Sequence, residues 1–225
     1  ERLLAAATGA ESALVVNNAA AALTLILTAH AEKREVVVSR GEMIEIGGSF
    51  RLPEIIEAGG AILREVGTTN KARLADYQRA IGERTAVLLK VHPSNYRVEG
   101  FSAEVEIDAL AALGDEHGLL VVHDAGSGLL EPAAICPAEP DARRSVDAGA
   151  GLVLFSGDKL LGAPQAGLIV GKRAFVDPLR SHPMMRSFRV DKIRLAALEA
   201  VLREHLHGEA PPVIALAHTD FEALR

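Results

Sequence analysis

A single cysteine, Cys136, stands in a chain of 225 residues. That excludes a disulfide framework and a cysteine-rich metal site, and it points to a reducing compartment, the cytoplasm. Tryptophan is missing and aromatics make up 4% of the chain, so there is no platform on which single-stranded bases could stack. No apolar run approaches the roughly 18–20 residues of a membrane span, and the start of the chain has no signal-peptide pattern. A formal net charge of -6 argues against a general nucleic-acid-binding surface while leaving room for a local basic pocket. No GxGxxG follows the first apolar stretch, which makes a dinucleotide fold a poor reading. Nor is there an initial methionine: the chain opens on Glu1-Arg2-Leu3 inside a helical pattern, as expected of a fragment.

What is present is a chain 49% hydrophobic and 24% charged, enough for one large domain with a real core and the beginning of a second. Apolar runs predict strands over 13–16, 35–39, 61–66, 86–91, 119–122, 152–155 and 166–170. Between them, helical spacing and capping residues predict helices over 1–8, 19–30, 52–58, 74–81, 106–117 and 192–206. Residues 132–144 read as a surface excursion, and the stretch holding Pro178 and Pro183 reads as a connection. The strands are near-continuous apolar runs, not alternating ones, as in a sheet covered on both faces. The expected fold class is α/β, a three-layer α/β/α sandwich around a mostly parallel mixed sheet.

Polar residues recur just past the strands: Asn17-Asn18, Arg40, His92 to Asn95, Asp124 to Gly128 and Ser156 to Lys159. In open α/β sheets ligands bind at that edge. The segment GLVLFSGDKLLGAPQAGLIVGK (151–172) is the centre of the pattern. It places Lys159 on a turn between two apolar strands, where desolvation would depress its pKa and favour Schiff-base chemistry. A surface turn that happens to contain Asp-Lys is the plainer alternative. Asn17-Asn18 before Ala19 leads from a strand into a helix, a geometry that offers backbone N–H groups to an anion, although Asn is also simply a good N-cap. Pyridoxal phosphate requires these parts: a lysine, a carboxylate for its ring nitrogen (Asp124), a hydroxyl (Ser156) and a phosphate cradle at Asn17, Asn18 and Ala19. A buried Asp124 without such a cation would pay a large desolvation cost. The alternative for Asp124 is a cap on the Gly126-Ser127-Gly128 turn.

The blocks ALVVNNAAA (13–21), SRGE (39–42) with EIGGSFR (45–51), and GTTNK (67–71) are similar to those of bacterial selenocysteine synthases. So are KVH (90–92) with SNY (94–96), Asp124 with GSG (126–128), SGDKLLG (156–162), GLIVG (167–171), and MR (185–186) with RVDK (189–192). The chain thus resembles the L-seryl-tRNA(Sec) selenium transferase family along essentially its whole length. Ala163 and Pro93 depart from the family pattern.

The resemblance implies the large domain of aminotransferase fold type I and a ring-shaped homo-oligomer. It implies conversion of seryl-tRNA(Sec) to selenocysteinyl-tRNA(Sec) with selenophosphate, through an aminoacrylyl intermediate on pyridoxal phosphate. Lys159 would bind the cofactor and act as the base at Cα, and Asp158 would help protonate the leaving hydroxyl. Arg186 and Arg189, with Arg40, would bind substrate, a guanidinium pair suiting a phosphate-like anion. Without the resemblance, the two arginines read as a solvated helix entry. Asn95 would bond the cofactor's phenolic oxygen, while His92 and His123 carry no assigned role. The expected organisation is a core domain over 1–205 and the start of a small domain over 206–225, the tRNA-binding domain lying before Glu1. Two other readings stay open: a related β-eliminating lyase acting on a small amino acid or amino sugar phosphate, and a non-catalytic core fragment.

Overall fold

The computed structural model describes residues 1–47, 50–217 and 219. Gly48 and Ser49 of the 45–51 block, and residues 218 and 220–225 of the expected small domain, lie outside the described residues. In chain order the elements are α1 (Arg2–Thr8), β1 (Ser12–Val16), α2 (Ala19–Ala31), β2 (Glu35–Ser39), β3 (Glu45–Ile46), β4 (Phe50–Arg51), α3 (Leu52–Ala58), β5 (Ile62–Val66) and α4 (Leu74–Ala80). They continue with β6 (Thr85–Val91), α5 (Ile107–His117), β7 (Leu120–Gly126), α6 (Ala142–Asp147), β8 (Leu152–Ser156), β9 (Gly167–Gly171), α7 (Arg173–Ser181), α8 (Lys192–Leu206) and α9 (Pro212–Ala217).

Seven strands form one sheet in the order β1-β9-β8-β7-β6-β2-β5, and β3 pairs with β4 in a separate hairpin. All neighbours in the large sheet are parallel except β9, which runs antiparallel to both β1 and β8. The mixed, mostly parallel sheet expected from the continuous apolar runs is therefore present. Alternate residues feed opposite layers. Leu14, Val36, Leu89, Val122, Leu154 and Ile169 pack against α2, α3 and α7. On the other face Val15, Val153, Phe155 and Leu168 meet α1 and α8, while Val37, Leu88 and Val121 meet α4 and α5.

Three expectations need correction. The strand expected over 119–122 extends to Gly126, because pairing with β6 and β8 continues through His123 and Asp124. The excursion ends early in α6, whose N-terminus is capped by the Asp141 carboxylate accepting from the Arg144 N–H at 2.7 Å. The expected connection after β9 is helix α7, which keeps Pro178 inside it. A proline there forfeits one helical hydrogen bond. Burial of Val176 and Leu179, with the Arg180 guanidinium donating to the Ala13 carbonyl at 2.9 Å, holds the turn in place.

Candidate active site

Because β1 runs parallel to β8, the C-terminal ends of β1, β8, β7, β6, β2 and β5 lie on one edge of the sheet. Every polar cluster singled out in the sequence falls on that edge. Asp124 lies on β7 opposite Leu154 of β8, and Lys159 follows β8 by three residues.

Asp124 is 8% exposed, and its Oδ1 accepts one hydrogen bond, from the Gly126 N–H at 3.1 Å. Burial pushes its pKa up to about 6, against the pull of that amide and of the nearby Lys159 ammonium. The carboxylate is thus held in a dry position with too little compensation, as a partner for a cation. Next along the turn, the buried Ser127 hydroxyl has no hydrogen-bond partner among the described residues. The Ser127 carbonyl accepts from the Leu160 N–H at 2.9 Å, which ties the Asp124 turn to the Lys159 turn. Gly128 makes this approach possible: its φ is +86°, and a Cβ there would sit 2.3 Å from the Ser156 carbonyl oxygen.

Lys159 corrects one expectation. Its side chain is exposed, as is that of Asp158, whereas Leu161 is buried. The apolar neighbours turn inward and leave the ammonium at the open mouth of the site, so the chain's own burial does not desolvate it. Ser156 is buried, and its hydroxyl donates to Asp158 Oδ1 at 2.6 Å. That hydroxyl therefore fixes the carboxylate next to Lys159.

At the start of α2, Asn18 spends its side chain on capping: Oδ1 accepts from the Ala21 N–H at 2.8 Å. The Ala22 N–H goes to the Asn18 carbonyl, which leaves the first-turn amides of Ala19 and Ala20 to face an anion. Gly167 on β9 lets the strand pass close to this turn, since a Cβ there would lie 2.1 Å from the Asn18 carbonyl oxygen. The Asn17 N–H donates to the Phe188 carbonyl at 3.0 Å, its side chain reaches the Ser187 carbonyl at 3.4 Å, and Val16 bridges Arg189. The cradle and the arginine segment are thereby joined. Arg186 and Arg189, with Arg180, His182, Pro183 and Met185, line an open cavity of about 410 Å³. Among the described residues neither Arg186 nor Arg189 makes an ion pair, whereas Arg180 is paired with Glu1 at 2.6 Å.

Two expected residues are otherwise engaged. Arg40 donates to Glu65 on neighbouring β5 at 2.8 Å, and Asn95 donates to the Glu45 carbonyl at 2.8 Å. Both hold loops at the edge. Sequence reasoning missed the group that anchors these loops. Buried Glu42 accepts from Lys90 Nζ at 3.3 Å and from the Val91 N–H at 2.9 Å, and Lys90 also reaches Glu104 at 3.0 Å. Burial raises the Glu42 pKa more than these partners lower it. A lysine inside the apolar run AVLLKV was the signal, since a buried ammonium demands a carboxylate. His92 and His123 are the histidines of this edge. His123 lies on the face opposite Asp124, bonded to the Ser145 hydroxyl at 2.9 Å, and burial pulls its pKa down to about 3. His92 Nε2 lies 3.4 Å from a Glu139 carboxylate oxygen of the excursion, without a hydrogen bond between them.

These features fit a ligand with a cationic ring nitrogen, an anionic tail and a carbonyl carbon. Among the described residues Asp124 makes no ion pair and the Ala19 and Ala20 amides have no acceptor, while Lys159 is the exposed amine. The chain is 57% identical over 206 residues to an L-seryl-tRNA(Sec) selenium transferase of Geobacter metallireducens, covering 90% of this chain and 44% of that protein. It is 48% identical over 230 residues to one of Aquifex aeolicus, covering 100% and 51%. The chain spans about half the length of the curated relatives it matches. Among solved structures it is similar to a D-glucosaminate-6-phosphate ammonia-lyase, at TM-score 0.78 and 26% identity over 93% of this chain and 57% of that one. A Thermus thermophilus aspartate aminotransferase double mutant, at TM-score 0.70, 20% identity and 96% and 56% coverage, shares the fold, aminotransferase fold type I. Among the described residues no helix is long and apolar enough to cross a membrane. The family model for L-seryl-tRNA selenium transferase matches residues 1–222, and the chain belongs to that family.

Proposed function

We propose that this chain is the cofactor-binding core of an enzyme that converts seryl-tRNA(Sec) to selenocysteinyl-tRNA(Sec) with selenophosphate as donor. The observation that carries the proposal is an under-compensated Asp124 beside Lys159 in a chain 57% identical to a named selenium transferase. The cofactor is pyridoxal phosphate: Asp124 would hold its ring nitrogen, the start of α2 behind Asn17 and Asn18 its phosphate, and Lys159 its carbonyl carbon. When bound, it supplies an electron sink for negative charge at the substrate Cα.

The chain's own residues do the rest. Lys159 Nζ takes the proton from the serine Cα. Asp158, oriented by the Ser156 hydroxyl, gives a proton to the serine hydroxyl, so that the Cβ–O bond breaks and water leaves. Arg186 and Arg189 hold the anionic selenophosphate while its selenium bonds to Cβ and its Se–H proton reloads Asp158; Lys159 returns the proton to Cα, and water then breaks the P–Se bond and releases phosphate. The proposed organisation is a core domain over residues 1–205, with 206–225 beginning a small domain, in a cytoplasmic homo-oligomer.

The similarity to the ammonia-lyase favours a second reading, β-elimination from an amino sugar phosphate. One experiment separates the two. Residues 1–222 are placed in a full-length Geobacter metallireducens transferase in place of the matching segment. The hybrid is expected to form selenocysteinyl-tRNA(Sec) and to lose at least a thousandfold in rate on Lys159→Ala. A hybrid inactive on seryl-tRNA(Sec) but releasing ammonia from D-glucosaminate-6-phosphate would overturn the first reading.

A further inference from the structure

His182 lines the same cavity as Arg186 and Arg189. It ends α7 and, at φ -69° and ψ 137°, forms the N-cap of the 3-10 turn Pro183–Arg186. Its Nδ1 accepts the Met184 N–H at 3.3 Å. A ring nitrogen that accepts carries no proton, so in the neutral imidazole the proton must sit on Nε2. Nε2 has no hydrogen-bond partner among the described residues, and the side chain is half-buried. One ring nitrogen thus shapes the turn that carries Arg186, and the other is a spare donor in a cavity with two guanidiniums that make no ion pair among the described residues. The third arginine cannot serve equally. Arg180 is committed to Glu1 and to the Ala13 carbonyl.

We propose that His182 is a specificity-determining residue of this anion site, donating from Nε2 to an oxygen of a tetrahedral oxyanion while its Nδ1 positions Arg186. The proposal rests on the reading of Arg186 and Arg189 as the donor site and adds a neutral third contact to it. A neutral donor fits the chemistry: two guanidiniums match the charge of a dianion, and a directional third bond selects a tetrahedral group over a flat carboxylate.

The test is calorimetric titration of the chain with inorganic phosphate and, separately, with acetate. His182→Asn retains a side-chain oxygen that can cap Met184 but has no Nε2–H. It should bind phosphate about ten- to a hundredfold more weakly, as for a lost hydrogen bond to a charged group, with an unchanged melting temperature. The preference for phosphate over acetate should fall by a similar factor. His182→Ala should also lower the melting temperature, and Arg186→Ala should weaken both anions. Imidazole nitrogen shifts should report a His182 protonated on Nε2 alone. If His182→Asn binds phosphate as tightly as the parent while Arg186→Ala does not, the donor site stands and this inference fails. If Arg186→Ala binds as tightly as the parent, or the parent does not bind phosphate, the donor-site reading fails and takes the inference with it.

Discussion

Asp124→Asn should make the cofactor-free chain more stable at about pH 7 and at the same time weaken pyridoxal phosphate binding by about thirtyfold or more. The stability gain follows from burial. Asp124 ionises at about 6 in the folded chain, against about 3.9 in an unfolded one. The folded state therefore holds a proton that the unfolded state has already released between those values, and stability falls as pH rises through that window. Above it the ionised carboxylate costs up to about 3 kcal/mol. An asparagine avoids that cost and can still accept from Gly126. Thermal melts of the two chains should differ most above about pH 6 and converge as both states protonate towards about pH 4. A less stable Asn variant at pH 7 would make Asp124 a turn cap, the alternative that the sequence left open, and would remove the cation partner from the site.

The buried ion pair behind the edge loops should respond in the opposite direction. Lys90→Met leaves Glu42, 4% exposed, with the Val91 amide as its remaining hydrogen-bond donor among the described residues. Stranding a carboxylate in this way costs about 3–5 kcal/mol, measurable as a shift in the denaturant midpoint. The Lys90→Met/Glu42→Gln double variant should recover most of the loss, because no charge is then stranded and a neutral amide can keep the Val91 contact. The effect reaches the site through Gly41 and Glu45, whose carbonyls hold Tyr96 and Asn95. A cost below about 1 kcal/mol for Lys90→Met alone would mean that solvent reaches Glu42 and that the loops are anchored elsewhere.

The sheet was legible because strands buried on both faces read as unbroken apolar runs, and Leu152–Ser156 and Glu35–Ser39 are such runs. The edge was legible because polar residues can follow those runs only where the sheet ends. Helix α7 was not, since Pro178 is a breaker by local rules and only tertiary packing of Val176 and Leu179 overrides it. The extension of β7 through Asp124 was also hidden. A charged residue in a strand looks like its end unless pairing on both sides, here with Val91 and Leu154, is known. The exposure of Lys159 was misread for a related reason: apolar neighbours in sequence say nothing about which way a turn faces. Arg40 and Asn95 reached the expected edge, but their partners, Glu65 and the Glu45 carbonyl, lie 25 and 50 residues away. Spacing along the chain carries no trace of such pairs.

Lys159 is the amine proposed to bind pyridoxal phosphate. The chain should be mixed with the cofactor, reduced with borohydride and digested, and the modified lysine identified by mass spectrometry. A single pyridoxyl group is expected on Lys159, with a visible absorption band before reduction and loss of both in Lys159→Ala. Labelling spread over other lysines such as Lys71 and Lys172, with the band unchanged in the variant, would contradict it.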